Sequence, residues 1–235
     1  YIFLFDRMYK GKIKGGFIFG TNPAQSVPNT HKVRKAFDNL DWLVVGELHG
    51  TETAENWHRP GIDPKKVKTE VFLLPSAQRG EKDGTISNSG RWHMWHYKAV
   101  DPIGQCKSMG GMVVDIMNAV RKLYQAEGGT FPEPVLNLDW PATYDADAMA
   151  KKINGWFTRD VTIKDKTYKK GDHVPGFPAL QADGSTTSLN WLYCGAYPEA
   201  GKNLTKRREL TQTPMQAKLG LFPNYTWAWP MNRRV

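Results

Sequence analysis

The chain has 235 residues, long enough to bury one large core or two smaller ones. Its net charge of +9 favours anions such as nucleic acid, anionic lipid or phosphate-bearing ligands, but does not select among them. The sequence predicts no membrane-spanning helix and no signal peptide, and its apolar and aromatic ends lead us to expect a longer protein.

The first part of the chain alternates between strand and helix patterns. Short apolar runs at 16–20, 41–48 and 69–75 predict buried strands, and apolar residues at helical spacing in 30–40 predict a helix. Strand, helix and strand in so short a stretch indicate a parallel sheet with crossover helices. The predicted fold class is therefore α/β, a Rossmann-like, mostly parallel sheet with flanking helices.

The later part of the chain has a different character. Residues 110–127 predict the clearest helix, 146–156 predict a shorter one, and 165–171 predict a hairpin turn. From about Asp172 onward glycine, proline, tryptophan and threonine dominate. We expect this tail to be an irregular extension wrapped on other surfaces, because it holds too few periodic apolar residues for its own core.

Three loops are expected to meet at the carboxyl edge of the predicted sheet, where ligands bind in open parallel sheets. They begin at Gly20, Glu47 and Pro75. Gly20 permits a left-handed turn, Asn22 can donate and accept hydrogen bonds, and Pro23 fixes the exit direction. Hydroxyls suited to phosphate or sugar, and a carboxylate suited to ribose or guanine, complete the candidate set: Thr21, Ser26, Thr51, Thr53 and Glu47.

Such an edge suits a nucleotide-like ligand, although the first loop by itself also fits a simple Gly-Asn-Pro turn. It is neither a GxGxxG fingerprint nor a P-loop.

Cys106 and Cys194 lack the spacing of zinc or iron–sulfur ligands and could be free thiols or one disulfide. His93 and His96 are three residues apart, but their aromatic neighbours favour packed side chains over a metal pair. We predict no catalytic and no metal-binding residue.

A resemblance to a known family adds to this interpretation. After the third predicted strand come Leu-Pro, Glu81, Gly84-Thr85, Asn88 and Gly90-Arg91, with a GxNP pattern upstream; this order resembles the molybdopterin-dinucleotide oxidoreductases. The likeness narrows to the large subunit of respiratory formate dehydrogenases. It covers essentially the whole chain and is carried by these stretches: 63–75, 86–92, 127–134 and 227–235.

The resemblance implies a site and a domain division. The loops would hold part of a bis-molybdopterin guanine dinucleotide through the candidate residues above, while Arg91 would contact a phosphate or carboxylate or brace the structure. Residues 1–127 would form part of a dinucleotide-binding α/β domain, including a return segment at 75–101. Residues 128–235 would form an insertion or extension packed on the rest of the subunit.

The resemblance also implies an activity, partners and a location. The family interconverts formate and carbon dioxide at molybdenum or tungsten, and its selenocysteine or cysteine ligand, assisting His and Arg and iron–sulfur cluster lie upstream of the matched region. The chain alone is therefore expected to be inactive. Expected partners are the remainder of the catalytic subunit, an iron–sulfur beta subunit and, through it, a membrane cytochrome subunit, in the periplasm. Lys206, Arg207 and Arg208 are candidate partner contacts.

Two other classes of protein have less support from the sequence. A basic nucleic-acid or polyanion-binding domain would explain the charge and the nine Trp residues. Most of the Trp residues lie among Pro and Gly, as packing anchors do, so we expect no nucleic-acid partner. A carbohydrate-binding module using the Trp faces has less support still.

Overall fold

We describe a computed structural model, which covers residues 2–87, 92–190, 193–199, 201–206, 214 and 229–230. Contacts divide the chain into two compact units. The first unit combines Tyr1–Lys82 with Val100–Thr143, and the second combines Asp83–Ala99 with Tyr144–Val235. The predicted domain division at residues 127 and 128 refers to a longer protein and stays a prediction.

The first unit contains a three-stranded parallel sheet in the order β1-β2-β3. Its strands are β1 (Gly15–Phe19), β2 (Trp42–Glu47) and β3 (Glu70–Pro75). The α-helices of this unit are α1 (Ile2–Tyr9), α2 (Pro23–Ser26), α3 (Thr30–Phe37), α4 (Met109–Glu127) and α5 (Pro132–Leu136). Short 3-10 helices lie at Asn56–His58, Pro64–Lys66 and Arg79–Glu81. The predicted α/β class, with a parallel sheet and flanking helices, is confirmed.

One face of this sheet forms the core of the first unit. Alternate residues of β1 and β2 point to this face, and α1 and α3 pack against it. The helix α3 begins where Asn29 adopts a left-handed φ of 59° and accepts a hydrogen bond from the Lys32 amide at 3.2 Å. The core consists of Phe5, Met8, Ile18, Ala24, Val33, Ala36, Phe37, Leu40, Leu43, Val45 and Ala54.

The long helix α4 has clear signals at both ends. The Ser108 hydroxyl accepts a hydrogen bond from the Gly111 amide at 3.0 Å, and Gly128 ends the helix with a φ of 71°. Before α4, the chain passes beside the end of β3, where the Ala77 amide donates to the Lys107 carbonyl at 2.7 Å. The predicted helix and its glycine stop are confirmed.

The second unit is built from short antiparallel pairs. They are β4 (Gly84–Ser87) with β5 (Trp92–His96), β5 with β10 (Trp229–Pro230), β6 (Trp156–Phe157) with β9 (Thr186–Thr187), and β7 (Val161–Ile163) with β8 (Lys166–Tyr168). The helix α6 spans Ala146–Asn154, and 3-10 helices lie at Phe177–Ala179 and Leu204–Lys206. The turn between β7 and β8 consists of residues 164–165, so the predicted 165–171 overlaps it at one residue and otherwise covers β8 and the residues after it. No helix in the described part of the chain is long and apolar enough to cross a membrane.

The tail after residue 172 contributes to two buried clusters, and in both it packs against residues from earlier in the chain. One cluster contains Trp95, Ala150, Ala196 and Tyr197; the other contains Phe157, Val174, Ala179 and Cys194. The buried side chains of the tail lie on turns and short 3-10 segments. They therefore leave no helical or strand periodicity in the sequence.

A buried amide joins three segments of the second unit. Asn154, at the end of α6, is fully buried. Its Oδ1 accepts from the Gly195 amide at 2.7 Å and the Tyr197 amide at 3.0 Å. Its Nδ2 donates to the Val174 carbonyl at 3.0 Å and the Gly155 carbonyl at 3.1 Å. Four hydrogen bonds satisfy this side chain completely, as burial of an amide requires.

An ion-pair network adds to this framework. The Asp147 carboxylate accepts from the Tyr197 hydroxyl and from Lys206 Nζ, each at 2.7 Å, and pairs with Lys151 Nζ at 2.9 Å. Lys206 Nζ also lies 4.1 Å from the ring centroid of Trp95. Partial burial alone would raise the pKa of Asp147, but these hydrogen bonds hold it well below its usual range.

These contacts bear on the predicted partner surface. The Lys206 ammonium is committed to contacts within its own unit. Arg207 and Arg208 lie outside the described residues.

Candidate functional site

The loop after β1 turns sharply at a glycine. Gly20 has a φ of 64°, and its amide donates to the Gly46 carbonyl at 3.2 Å. A Cβ at this position would lie 2.9 Å from Met109 Cε, so a side chain would meet both backbone strain and crowding. The sequence-based reason for a glycine here is therefore supported by the geometry.

Asn22 and Thr53 join the loops that follow β1 and β2. Asn22 Oδ1 accepts from the Thr53 hydroxyl at 2.8 Å and from the Thr53 amide at 3.2 Å. The Thr53 hydroxyl in turn accepts from the Ala24 amide at 3.0 Å, at the start of α2. Thr53 is fully buried, so this hydroxyl positions the loops instead of facing solvent.

The two joined loops border a polar pocket of about 520 Å³ on the first unit. Two sequence-predicted residues, Asn22 and Thr51, line it. The remaining lining residues are Arg34, His49, Gly50, Glu52, Glu55, His58, Arg59 and Pro60. Cations, carboxylates and an amide thus converge on a cavity of the size that small ligands occupy, about 300–1,000 Å³. We call it the loop pocket.

The two guanidinium groups of the loop pocket are held differently. Arg34 Nε donates to the Ala24 carbonyl at 3.0 Å, and its Nη2 donates to Gln25 Oε1 at 3.3 Å. Arg59 is paired with both carboxylate oxygens of Asp38, at 2.8 and 2.5 Å. Two of the five Arg34 donors are accounted for by these contacts, so Arg34 is better placed than Arg59 to bind an additional anion.

A carboxylate on the loop after β2 is a further group of the loop pocket. Asn22 Nδ2 donates to Glu52 Oε2 at 2.5 Å. This hydrogen bond, with the Glu52 backbone amide and the nearby Arg34 charge, lowers the pKa of Glu52 below its ordinary value. Glu52 is therefore an ionised acceptor at neutral pH, and Asn22 links it to the loop after β1.

The structure separates the other predicted site residues from the lining of the loop pocket. Pro23 is buried at the start of α2, and Thr21 is exposed. The Ser26 hydroxyl donates to the Asn22 carbonyl at 2.9 Å, and Glu47 accepts from the Leu48 amide at 3.2 Å. Thr51, which does line the pocket, accepts from the Ala54 amide at 3.3 Å. Arg91 lies outside the described residues.

The third predicted loop does not share the loop pocket. Pro75 lines a different, mostly apolar pocket, together with Leu74 and Met112. Ser76 is buried, and its amide donates to the Glu47 carbonyl at 2.9 Å. The prediction that three loops meet in one hollow therefore holds for the first two loops only.

Cys106, Cys194 and His93 do not line the loop pocket. Cys106 and Cys194 are both free thiols, and burial raises the pKa of Cys194 to about 12. His93 is buried, with its ring centroid 4.9 Å from that of Tyr193, and burial lowers its pKa to about 4. No group of three or more His, Cys, Asp or Glu side chains in the described ranges is placed to hold a metal ion.

Sequence reasoning missed Arg34 and Arg59 as pocket residues. Glu52 and His49 lie inside the loop after β2 that the sequence identifies, so the sequence could have predicted them as pocket residues. Arg34 lies on α3 and Arg59 follows a 3-10 helix. The sequence around each arginine does not indicate that its side chain lines a pocket. Their approach to the loops depends on how α3 packs on the sheet.

A polar pocket beside the carboxyl edge of a parallel sheet is the arrangement in which open α/β sheets bind ligands. The family model for molybdopterin oxidoreductases matches residues 2–119, and the chain belongs to that family.

Formate dehydrogenase subunits are among its relatives. The chain is 58% identical over 235 residues, all of its length, to formate dehydrogenase 2 subunit alpha (cytochrome c-553) of Nitratidesulfovibrio vulgaris. It is 46% identical over 238 residues to formate dehydrogenase subunit alpha of Megalodesulfovibrio gigas, which matches 99% of the chain. It is 36% identical over 241 residues to the nitrate-inducible formate dehydrogenase major subunit of Escherichia coli, which matches 98% of the chain. In each case the chain spans 23% of the relative's length.

Proposed function

We propose that this chain is a segment of the catalytic subunit of a formate dehydrogenase, and that the loop pocket binds part of a molybdopterin guanine dinucleotide. The observation that carries the site is the Asn22–Thr53 pairing, which brings two strand-end loops around a charged pocket. The relatives named above, which match all or nearly all of the chain, are formate dehydrogenase subunits, which supports the activity.

The residues of the loop pocket fit the nucleotide end of such a cofactor. Arg34 offers guanidinium donors to a phosphate, and Glu52 and Glu55 offer acceptors to the N–H edge of guanine. Thr51 and Asn22 provide polar groups for a ribose. Because the carboxylates offset the guanidinium charges, selectivity here comes from placed hydrogen-bonding groups and not from net positive potential.

In the intact enzyme, the bound cofactor would supply molybdenum or tungsten, carried by two such dinucleotides, for two-electron oxidation of formate to carbon dioxide or the reverse. The residues of this chain would bind and orient one nucleotide portion. The metal-ligating selenocysteine or cysteine, the assisting His and Arg and the iron–sulfur cluster would come from the remainder of the subunit. The chain by itself would therefore have no turnover.

The assembly that follows from this proposal is larger than the chain. The remainder of the catalytic subunit is the first partner, followed by an iron–sulfur beta subunit and, through it, a membrane cytochrome subunit. The proposed location is the periplasm, as in the enzymes that the sequence resembles. No nucleic-acid partner is proposed.

Calorimetric titration of the chain with guanosine monophosphate tests the site. We expect binding that Arg34→Gln weakens about tenfold, since a hydrogen bond to a charged group contributes roughly 1.5–3 kcal/mol. Asn22→Ala should also weaken binding, because it releases the second loop from the first. Adenosine monophosphate should bind less tightly, because adenine lacks the adjacent N1–H and N2–H donors from which Glu52 and Glu55 would accept hydrogen bonds.

Arg159→Gln is the matched control, because Arg159 pairs with Asp183 at 2.7 Å on the second unit and does not line the loop pocket. Its affinity should equal that of the unmodified chain. Guanosine monophosphate binding that persists in both Arg34→Gln and Asn22→Ala would contradict the proposed site. Strongly salt-dependent binding of a single-stranded oligonucleotide, with no mononucleotide binding, would favour a polyanion-binding domain instead.

A further inference from the structure

The two faces of the parallel sheet are unequally covered. On the covered face, Leu43 and Val45 are fully buried, while Leu73 on β3 is 48% exposed. On the opposite face, Phe17 is 52% exposed, Phe72 is 44% exposed and Trp42 is 36% exposed. We call this second side the open face; its large apolar side chains are Phe17, Phe19, Trp42, Val44, Phe72 and Leu74, and Glu70 lies on the same side.

The open face is an ordered aromatic surface. Phe17 lies in one register row with Val44 and Phe72, so their side chains share a side of the sheet. The ring of Phe17 stacks on Phe19 at 6.3 Å between centroids and meets Trp42 edge to face at 5.1 Å. Parallel sheets are normally covered on both faces, so such a surface is expected to have a cover.

Strand order explains why this chain leaves the face open. The chain steps from β1 to β2 to β3 in one direction, and all three strands are parallel. Right-handed crossovers that step in one direction place their connections on one face. The helix α3 follows this rule, because its Val33 and Phe37 belong to the core on the covered face. A second layer of crossovers requires strands on the other side of β1.

The observed strands and helices agree with this rule for crossover connections. In the described part of the chain, β1 pairs with β2 alone, so its outer edge has no strand partner there. The helix α4 lies beside the carboxyl end of the open face, where Met112 and Ile116 share a pocket with Leu74. Phe17, Trp42 and Phe72 lie farther from that end and keep their exposure.

We infer that the open face is the docking surface for an amphipathic helix of a further strand–helix unit, supplied by the remainder of the subunit, whose strand pairs in parallel with the outer edge of β1. This inference rests on the proposed function, since the chain spans 23% of the length of the relatives it matches. The helix must present an apolar stripe at helical spacing to reach the aromatic rows. The strand satisfies the backbone groups at the β1 edge.

The test compares thiol labelling in two contexts. One is the 235-residue chain, and the other is a chimera in which it replaces the matching segment of the 58%-identical Nitratidesulfovibrio relative. Phe17→Cys and Phe72→Cys are introduced separately in a Cys106→Ser background, and maleimide labelling rates are measured. Both cysteines should react rapidly in the chain and at least about tenfold more slowly in the folded chimera. Leu43→Cys marks the slow limit, and the urea-unfolded chimera marks the fast limit.

Two results would overturn the inference. The first is labelling of both positions in the chimera at the rates seen in the chain. The second is protection in the chain itself that disappears on dilution, which would assign the open face to a second copy of this chain. Cofactor content of the chimera, measured by mass spectrometry, reports separately on the proposed function, because labelling can be slow whether or not a pterin is bound.

If the chimera does not fold, a second measurement tests the inference. The affinity-tagged chain is co-expressed with the flanking segments of the relative as separate polypeptides. Co-purification should be lost when Phe17→Asp and Phe72→Asp are combined, and should persist with the exposed substitution Ile103→Asp. Failure of the unmodified chain to co-purify with these segments, or unchanged recovery of the double variant, contradicts the inference.

Discussion

The two units of the chain are stabilised in different ways. The first unit has a continuous apolar core of eleven residues, contributed by strands and helices with regular spacing. In the described part of the second unit, two clusters contain four buried apolar residues each, and buried polar groups such as Asn154 add hydrogen bonds. Regular strands and helices bury apolar surface through the spacing of their side chains. Short irregular segments also need hydrogen bonds at fixed positions to adopt a single conformation.

The largest effect is expected in the core of the first unit. Phe37 is 1% exposed and meets Phe5 edge to face at 5.8 Å. Phe37→Ala should lower the free energy of unfolding by about 3–5 kcal/mol, because it leaves a cavity. Urea unfolding followed by circular dichroism measures this, with Ile103→Ala, at a position 76% exposed, as the control. Equal midpoints for the two variants would contradict the assignment of the core.

A polar substitution should have the next largest effect, in the second unit. Asn154→Ala removes four hydrogen bonds and takes away the acceptor of the Gly195 and Tyr197 amides. We expect a loss of about 3 kcal/mol, measured by the same urea unfolding. The control is Asn39→Ala, because Asn39 is exposed and donates to the Tyr9 carbonyl at 2.7 Å. A loss no greater than that of the control would show that apolar packing alone holds the second unit.

Acid should weaken the second unit before the carboxylates titrate. The pKa of His93 is lowered to about 4 in the folded chain, whereas the unfolded chain takes up this proton near pH 6.5. Stability should therefore fall as pH drops from about 6.5 to about 4, by roughly 1 kcal/mol per pH unit. Burial also lowers the pKa of His173, which adds to the loss of stability in the same pH range. Melting temperatures of His93→Leu across this range should show a shallower slope, and an unchanged slope would contradict the assignment.

The smallest effect is expected at the Asp147 network, because its partners are partly exposed. The side chains of Lys206 and Lys151 are 32% and 39% exposed. Asp147→Asn should therefore cost only about 1 kcal/mol at neutral pH. The depressed pKa of Asp147 means that this contribution is present above the ordinary carboxyl range and is lost as pH falls below it. The variant and the parent should thus converge in stability at low pH, and a constant difference would exclude the ion pairs as the cause.

The candidate site was predictable in part. The loops after β1 and β2 followed from the rule for carboxyl edges, and Asn22 and Thr51 do line the loop pocket. Thr53 was expected to face a ligand, yet it is buried against Asn22. A hydroxyl has the same appearance in sequence whether it contacts a ligand or braces a loop, so only coordinates separate the two roles.

The sequence by itself determined the three parallel strands, the helices α3 and α4 and the family, because apolar periodicity and ordered motifs are local properties of the chain. Tertiary structure decided which face of the sheet is buried, which loops meet, and how Arg34 and Asn154 are used. These outcomes depend on contacts between residues distant in sequence, such as the 31-residue separation of Asn22 and Thr53. Such contacts form only when strand order and packing are fixed, so no local pattern records them.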